Sequence, residues 1–168
     1  MSVEVTRTYL QMTSPSQHLR APAPATPARV ERAVSCPASF YRFLYTEIGR
    51  RYHWVDRLSW ADSEILAHLS LPNISLWILY VEGSPAGFYE LRRCEDDSTE
   101  IAYFGLMQEF LGKGLGKFLL SDAVDRAWSG GPESVWLHTC TLDDAAALPN
   151  YLSRGFTPFK QETYLAEW

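Results

Sequence analysis

The sequence predicts an α/β fold in which a central sheet of mixed parallel and antiparallel strands is flanked by about four helices. Segments rich in β-branched and aromatic residues, typical of strands, occur both in succession and in alternation with segments of helical periodicity. The predicted order is β–β–α–α–β–β–β–α–β–α–β, which favours a mixed sheet. With 168 residues, the chain is long enough to bury a core, and we expect a single domain over residues 1–168.

The first part of the chain is predicted to contain two strands, a long loop and two helices. Residues 3–12 alternate apolar and polar side chains, as a half-buried strand does. Residues 13–28 are rich in Pro, Ala and Ser and are expected to form an extended surface loop. Residues 29–34 are predicted to be a short strand paired with the first one. Helices are expected over residues 37–49 and 59–69.

The second part of the chain is predicted to begin with a hairpin, because an almost continuous apolar run is followed by a Glu-Gly-Ser turn and a second strand. Helices then alternate with strands. The predicted elements are strands 74–81, 85–92 and 99–106, helix 114–128, strand 134–139, an alanine-rich helix with Asp143 or Asp144 as its N-cap and Gly155 after its end, and strand 156–168.

A glycine-rich run joins one of these strands to the helix that follows. Gly112, Gly114 and Gly116 allow backbone N–H groups to approach a ligand without interference from a Cβ atom. The start of the helix directs its unpaired N–H groups and the positive end of its dipole to the same place. The run is therefore suited to binding a phosphate or pyrophosphate, although an ordinary strand-to-helix turn has similar composition.

Two glycine motifs are excluded by the spacing. A P-loop requires Gly-x-x-x-x-Gly-Lys-Ser/Thr, but Leu111 occupies the place of the first glycine and Phe118 that of the hydroxyl residue. A dinucleotide-binding fingerprint requires Gly-x-Gly-x-x-Gly, and Lys117 stands where the third glycine belongs.

The run resembles motif A of the GNAT superfamily of N-acetyltransferases, whose loop Arg/Gln-x-x-Gly-x-Gly/Ala binds the pyrophosphate of acetyl-CoA. Gly114 and Gly116 match the two small residues, whereas Leu111 replaces the Arg or Gln. A second motif of the same family, Tyr-x-x-x-Gly-Phe at the end of a helix, matches Tyr151 and Gly155-Phe156. The two motifs occur in the order and at the separation that the family has, and the resemblance covers roughly residues 74–156.

The resemblance implies a GNAT-like fold and acetyl-CoA as co-substrate, with no metal. It implies that the loop N–H groups bind pyrophosphate and that backbone N–H groups at the end of the preceding strand polarise the thioester carbonyl. The residues expected to bind the co-substrate are Leu106, Met107, Leu111, Gly112, Lys113, Gly114, Leu115, Gly116 and Lys117.

The resemblance also implies roles for catalytic residues. Tyr151 matches the family's general acid, which protonates the leaving thiolate. The base that removes the ammonium proton is expected to be Glu100 or Glu90, and His138 and Asp143 are alternatives. A tyrosine that only packs in the core, or carboxylates that are only solvated, would fit these positions as well.

The acceptor site is expected beside the first two helices, where the sequence is rich in aromatic residues. Tyr41, Tyr45, Trp54 and His138 are expected to bind the acceptor, and aromatic rings attract cationic amines. The alternative is that these aromatic residues close the core. The predicted activity is N-acetylation of a small-molecule primary amine by direct attack in a ternary complex. A non-catalytic acyl-CoA-binding module and acetylation of a protein amine remain alternatives.

Composition limits the partners and the location. Fifteen basic and 20 acidic residues give a net charge of −5, which argues against general nucleic-acid binding. The three cysteines form no disulfide or zinc pattern. No apolar stretch reaches the ~20 residues of a membrane span and no signal peptide is recognisable, so we expect a cytoplasmic protein without membrane contact. A homodimer and a monomer are both compatible with the sequence.

Overall fold

The computed structural model describes residues 1–167, which form a seven-stranded sheet with four α-helices. The elements are β1 (Ser2–Met12), β2 (Ala28–Arg32), α1 (Ala38–Gly49), α2 (Asp62–Leu69), β3 (Ile74–Val81), β4 (Ser84–Arg93), β5 (Ser98–Leu106), α3 (Leu115–Ser129), β6 (Ser134–Cys140), α4 (Ala147–Ser153) and β7 (Thr157–Glu167). The predicted mixed α/β sheet with about four helices is confirmed. Trp168, predicted to end the last strand, lies outside the described residues.

The strand order is β2-β3-β4-β5-β6-β1-β7, and the prediction that the first two strands pair with each other is wrong. β1 lies between β6 and β7 and is antiparallel to both, whereas β2 pairs with β3 at the opposite edge. Five strand spacings of about 4.8 Å separate them, roughly 24 Å in total. The connecting segment of residues 13–27 can span about 50 Å when extended, so proximity in sequence does not enforce pairing.

This connecting segment is a surface loop, as predicted, but it is held to the helices at several points. It contains a short 3-10 helix, Pro15–Gln17. The N–H of Ala21 donates to Ser121 Oγ at 2.9 Å, and the N–H of Leu19 donates to the carbonyl oxygen of Arg154 at 2.9 Å. The loop therefore crosses over α3 and the end of α4.

Apolar side chains pack on both faces of the sheet. On one face, α3 and α4 cover strands from β3 to β6 and β1 through buried residues such as Leu119, Val124 and Leu10. On the other face, α1 and α2 pack mainly against β3 and β4, where Leu44 and Ile48 meet Phe88. None of the helices within residues 1–167 is long and apolar enough to cross a lipid bilayer.

The strands β5 and β6 diverge after a short parallel pairing. They pair only from Ser98↔Ser134 to Glu100↔Trp136. Within residues 1–167, the remaining part of β5 has no neighbouring strand on that side, so its outward backbone groups face an open cleft.

The start of α4 differs from the prediction, whereas its end agrees with it. The predicted N-caps, Asp143 and Asp144, precede the helix, and Ala146 is the N-cap residue. Pro149 lies in the first turn of α4, where backbone N–H groups form no intrahelical hydrogen bond, so the proline costs the helix none. Gly155 follows the helix with a φ of 103°, which confirms its predicted left-handed conformation.

Candidate active site

A cavity of about 700 Å³ occupies the cleft between β5 and β6. The loop between α1 and α2 forms one wall, and the β6–α4 loop and α4 form another. Parts of β1 and β7 also reach it, through Arg7 and Tyr164. With Arg92 of β4 and Leu111 of the β5–α3 loop, residues of three loops and five strands meet at this one cavity.

The glycine-rich run closes one end of the cavity, where Leu111 and Gly116 belong to the wall. Gly112 and Gly114 have φ angles of 76° and 75°, a left-handed conformation that favours glycine. Because α3 begins at Leu115 without a side-chain cap, its first N–H groups have no partner within the helix. This end of the cavity is therefore suited to an anion.

The other predicted residues of the run do not line the cavity. Leu115 is fully buried in the core. The ammonium group of Lys113 lies 5.7 Å from the centroid of the Phe110 ring. Lys117 folds back over the loop, with its Cε atom 3.4 Å from where a Cβ on Gly114 would stand. Leu111 and Gly116 are thus the residues of the run that the structure places on the cavity wall, and the two lysines are not among them.

The two residues expected to polarise a carbonyl are placed differently. The N–H of Met107 donates to the carbonyl oxygen of Ala86 at 2.8 Å, so it is not free, and we no longer assign it to the polarising group. Leu106 lines the cavity. Because donor direction alternates along an antiparallel strand, the N–H of Leu106 is directed away from β4 and into the cleft.

Tyr151 lies on the cavity wall with only 6% of its surface exposed. Within residues 1–167 its hydroxyl forms no hydrogen bond, while its ring contacts Phe104 and Phe156. Burial and the nearby charge of Asp143 raise the pKa of Tyr151, so the hydroxyl keeps its proton at neutral pH. Asp143 is itself held by Thr139 Oγ1, which donates to its carboxylate at 2.6 Å.

Glu100 and His138 also line the cavity. The Glu100 carboxylate accepts a hydrogen bond from Arg92 Nε at 2.9 Å, and Arg92 Nη2 forms an ion pair with the same oxygen at 2.8 Å, which fixes the orientation of the carboxylate. Desolvation in the cavity wall and the charge of Arg7 lower the pKa of His138. His138 is therefore neutral at pH 7 and able to accept a proton.

Glu90, the other predicted base, lies outside the cavity. It is fully buried, and its carboxylate is bound by both Nη atoms of Arg57, at 2.7 and 3.1 Å, and lies 2.9 Å from His68 Nε2. The hydroxyl of Tyr41 also donates to it, at 3.1 Å. With all these partners, Glu90 anchors the α1–α2 loop to the sheet, and we no longer propose it as a base.

The aromatic residues of the first helices divide between the core and the cavity. Tyr41 and Tyr45 are 1% and 2% exposed and pack in the core, so the structure does not bring them to the acceptor site. Trp54 does line the cavity. Its ring lies 5.0 Å from that of Tyr103, and Gly49 leaves room for it, since a Cβ there would stand 2.5 Å from Trp54 Cβ.

Several residues of the cavity wall were not predicted. Tyr103 lies within the predicted strand 99–106, where the alternation of side-chain direction could have indicated that it faces the cleft. Arg57 lies between the two predicted helices 37–49 and 59–69. Arg7 and Tyr164 carry no local signal, because their strands are brought together only by the sheet order. Within residues 1–167, no group of three or more His, Cys, Asp or Glu side chains is arranged to hold a metal ion.

Comparisons with known proteins agree with this geometry. A family model described as the acetyltransferase (GNAT) family matches residues 39–156. No curated protein matches the sequence. Among solved structures, a GCN5-related N-acetyltransferase from Kribbella flavida is 20% identical, with a TM-score of 0.68 over 98% of this chain and 58% of that one.

Two further solved structures are similar. The ribosomal-protein-S18-alanine N-acetyltransferase from Escherichia coli is 18% identical, with a TM-score of 0.61 over 78% of each chain. An aminoglycoside acetyltransferase from an uncultured soil metagenomic sample is 19% identical, with a TM-score of 0.59 over 76% of this chain and 87% of that one. The chain spans 51% to 61% of the length of several other matched structures. At these identities, the likeness concerns the fold.

Proposed function

Because the chain belongs to the acetyltransferase (GNAT) family, we propose that it transfers an acetyl group from acetyl-CoA to a primary amine of a small molecule, by direct attack in a ternary complex. The observation that carries the proposal is the single cavity that joins the start of α3 to Tyr151 and Glu100. A binding site for an anion and groups able to transfer protons thus share one space.

The residues at the α3 end fit acetyl-CoA. The left-handed Gly112 and Gly114 expose the backbone at the start of α3, and Gly116 places no side chain in the cavity wall. The unpaired N–H groups and the helix dipole favour a pyrophosphate there. We assign the co-substrate to this backbone, because Leu111 offers no polar group. When bound, acetyl-CoA supplies an activated acetyl group and a thiolate leaving group.

The chain's own residues then account for the proton transfers. The N–H of Leu106 faces the cleft and is available to stabilise negative charge on a carbonyl oxygen. Glu100, directly or through water, accepts the proton that the ammonium group must lose before it becomes a nucleophile. Tyr151 retains its proton because its pKa is raised, and it donates that proton to the departing thiolate.

Initial rates of thiol release test the proposal, with purified protein, acetyl-CoA and a panel of primary amines. We expect Tyr151→Phe to lower kcat by about 10²-fold, the usual contribution of a general acid, with little change in the affinity for acetyl-CoA. Tyr80→Phe is the matched control, because Tyr80 belongs to β3, which pairs with β2 and β4, and does not line the cavity. Equal activity of Tyr151→Phe and the wild type would remove the acid assignment.

The same assay separates the enzyme from a non-catalytic module. Binding of acetyl-CoA without acetylation of any amine would favour an acyl-CoA-binding module. Absence of binding to any CoA thioester would reject both functions. The predicted cytoplasmic location and the homodimer stay predictions.

A further inference from the structure

Each arginine on the cavity wall is paired with a carboxylate, whereas the aspartates on the wall have no cationic partner within residues 1–167. Arg57 is paired with Glu90, Arg92 with Glu100, and Arg7 with Glu162 at 3.4 Å. Asp56, Asp143 and Asp144 also line the cavity, and within residues 1–167 none of them forms an ion pair. The wall therefore carries uncompensated negative charge that a bound cation would balance.

The partners of Asp56 and Asp144 are neutral donors. One oxygen of Asp144 accepts the N–H of Ala146 at 2.8 Å, and the other accepts the hydroxyl of Tyr52 at 3.3 Å. Asp56 accepts the hydroxyl of Tyr103 at 3.4 Å. These contacts orient the carboxylates without cancelling their charge.

The same part of the wall is aromatic. Tyr52 and Trp54 lie on the α1–α2 loop beside Asp56, and the Tyr52 hydroxyl reaches Asp144 across the cavity. Aromatic faces attract ammonium groups. Tyr52 and Trp54 are half-buried, and Asp56 and Asp144 are exposed. Carboxylates and rings together select a cationic group rather than a merely polar one.

The reacting nitrogen does not account for these carboxylates. That nitrogen must be neutral when it attacks, and Glu100 is the carboxylate already assigned to take its proton. Asp143 lies close enough to Tyr151 to raise the pKa of the Tyr151 hydroxyl, so we group Asp143 with Tyr151 at the end of the cavity where the reaction is proposed to occur. Tyr151 itself lies on the cavity wall, is 6% exposed and has no hydrogen-bond partner within residues 1–167, so its hydroxyl is available to a bound ligand.

We propose that the acceptor carries a second cationic nitrogen, separate from the amine that is acetylated, and that Asp56 and Asp144 bind it beside Tyr52 and Trp54. The acceptor class is thus a diamine or polyamine rather than a monoamine. This inference rests on the proposed acetyl transfer, but the charge preference of the cavity is measurable without it.

Two matched probes test the inference, 1,5-diaminopentane and pentylamine, which have the same chain length and differ by one ammonium group. Calorimetric titration of the protein is expected to show about threefold to fivefold tighter binding of the diamine, the effect of an ammonium–carboxylate contact at exposed residues. In Asp56→Asn and in Asp144→Asn the ratio of the two affinities is expected to fall towards one. Glu133→Gln is the control, because it removes the same charge from an exposed residue outside the cavity wall.

The ratio of kcat/KM for the two amines, measured by thiol release, is expected to change in parallel. Equal affinities of the wild type for diamine and monoamine would overturn the inference, whether or not acetylation is observed. So would a preference that both Asp variants retain. A diamine preference without any acetylation would support the cationic site and count against the proposed function alone.

Discussion

Replacing Arg57 with methionine would remove the cation that ties the α1–α2 loop to the sheet. Arg57 contacts Glu90 through both Nη atoms, and its guanidinium carbon lies 4.5 Å from the centroid of the Tyr103 ring and 4.8 Å from that of Trp60. Methionine conserves much of the apolar stem but leaves the fully buried Glu90 carboxylate without its strongest partner.

The expected cost follows from the burial of Glu90. Breaking a buried ion pair by removing one partner costs about 3–5 kcal/mol. His68 and Tyr41 remain within hydrogen-bond distance of the carboxylate, so we expect the lower end, about 3 kcal/mol. In urea unfolding followed by tryptophan fluorescence, this corresponds to a midpoint about 1.5 M lower, for a slope of about 2 kcal/mol/M.

The pH dependence of this loss has a defined sign. Burial alone would raise the pKa of Glu90, but hydrogen bonds from His68 and Arg57 bring it below its ordinary value. A depressed carboxyl pKa stabilises the fold above the unfolded-state pKa, about 4.3, and this stability is lost as the pH falls through the folded-state pKa. The difference between wild type and Arg57→Met is therefore expected to shrink towards and below pH 4.3.

Two further variants decide whether the buried charge is the cause. Arg42→Met breaks an exposed ion pair with Asp62 and is expected to cost less than about 1 kcal/mol. The double variant Arg57→Met/Glu90→Gln removes the unpaired charge and is expected to be more stable than Arg57→Met alone. A midpoint for Arg57→Met no lower than that of Arg42→Met, or a double variant less stable than the single one, would refute the reasoning.

Two other substitutions test the glycine positions and the anion-binding end. Gly155→Ala is expected to lower the free energy of unfolding by about 3 kcal/mol, because its φ is 103° and a Cβ would stand 1.9 Å from the carbonyl oxygen of Gln17. Gly83→Ala, with a φ of 88° but nothing within 4 Å, is expected to cost only about 1 kcal/mol, and equal costs in urea unfolding would contradict the steric argument. Leu111→Arg supplies the missing cation and is expected to bind acetyl-CoA about 5- to 10-fold more tightly in calorimetry. The exposed Leu66→Arg serves as its control, and an unchanged affinity in Leu111→Arg would mean that the backbone alone determines binding.

Local patterns predicted most elements, because the spacing of apolar residues within each element indicates both its type and the face that it buries. The hairpin of β3 and β4 and the apolar stripe of α3 agree with the structure to within one or two residues. The start of α4 was misplaced because the carboxylates of Asp143 and Asp144 bond backbone N–H groups of the preceding turn, at Cys140 and Ala146. Such residues stabilise turns as well as helix starts.

The candidate site was predictable only where its residues lie in local motifs. Tyr151 and the glycine-rich run were located by their resemblance to two motifs of the GNAT family, and the structure places Tyr151, Leu111 and Gly116 on one cavity. Glu90 and Glu100 could not be distinguished from the sequence. In the structure, a β-bulge follows Glu90, which is bound by Arg57, whereas Glu100 is bound by Arg92.

The division between predictable and unpredictable residues has a structural origin. The co-substrate end is built from β5, the glycine-rich run and α3, which are contiguous in sequence. The rest of the cavity wall also depends on β1 and β7, where Arg7 contacts Glu162 across 155 positions and lies over the Tyr164 ring at 4.9 Å. Because these strands do not contribute to the backbone at the start of α3, we expect substitutions in them to change their part of the cavity wall without altering the proposed anion-binding end. For the proposed activity, we therefore expect acceptor preference to be separable from the binding of acetyl-CoA.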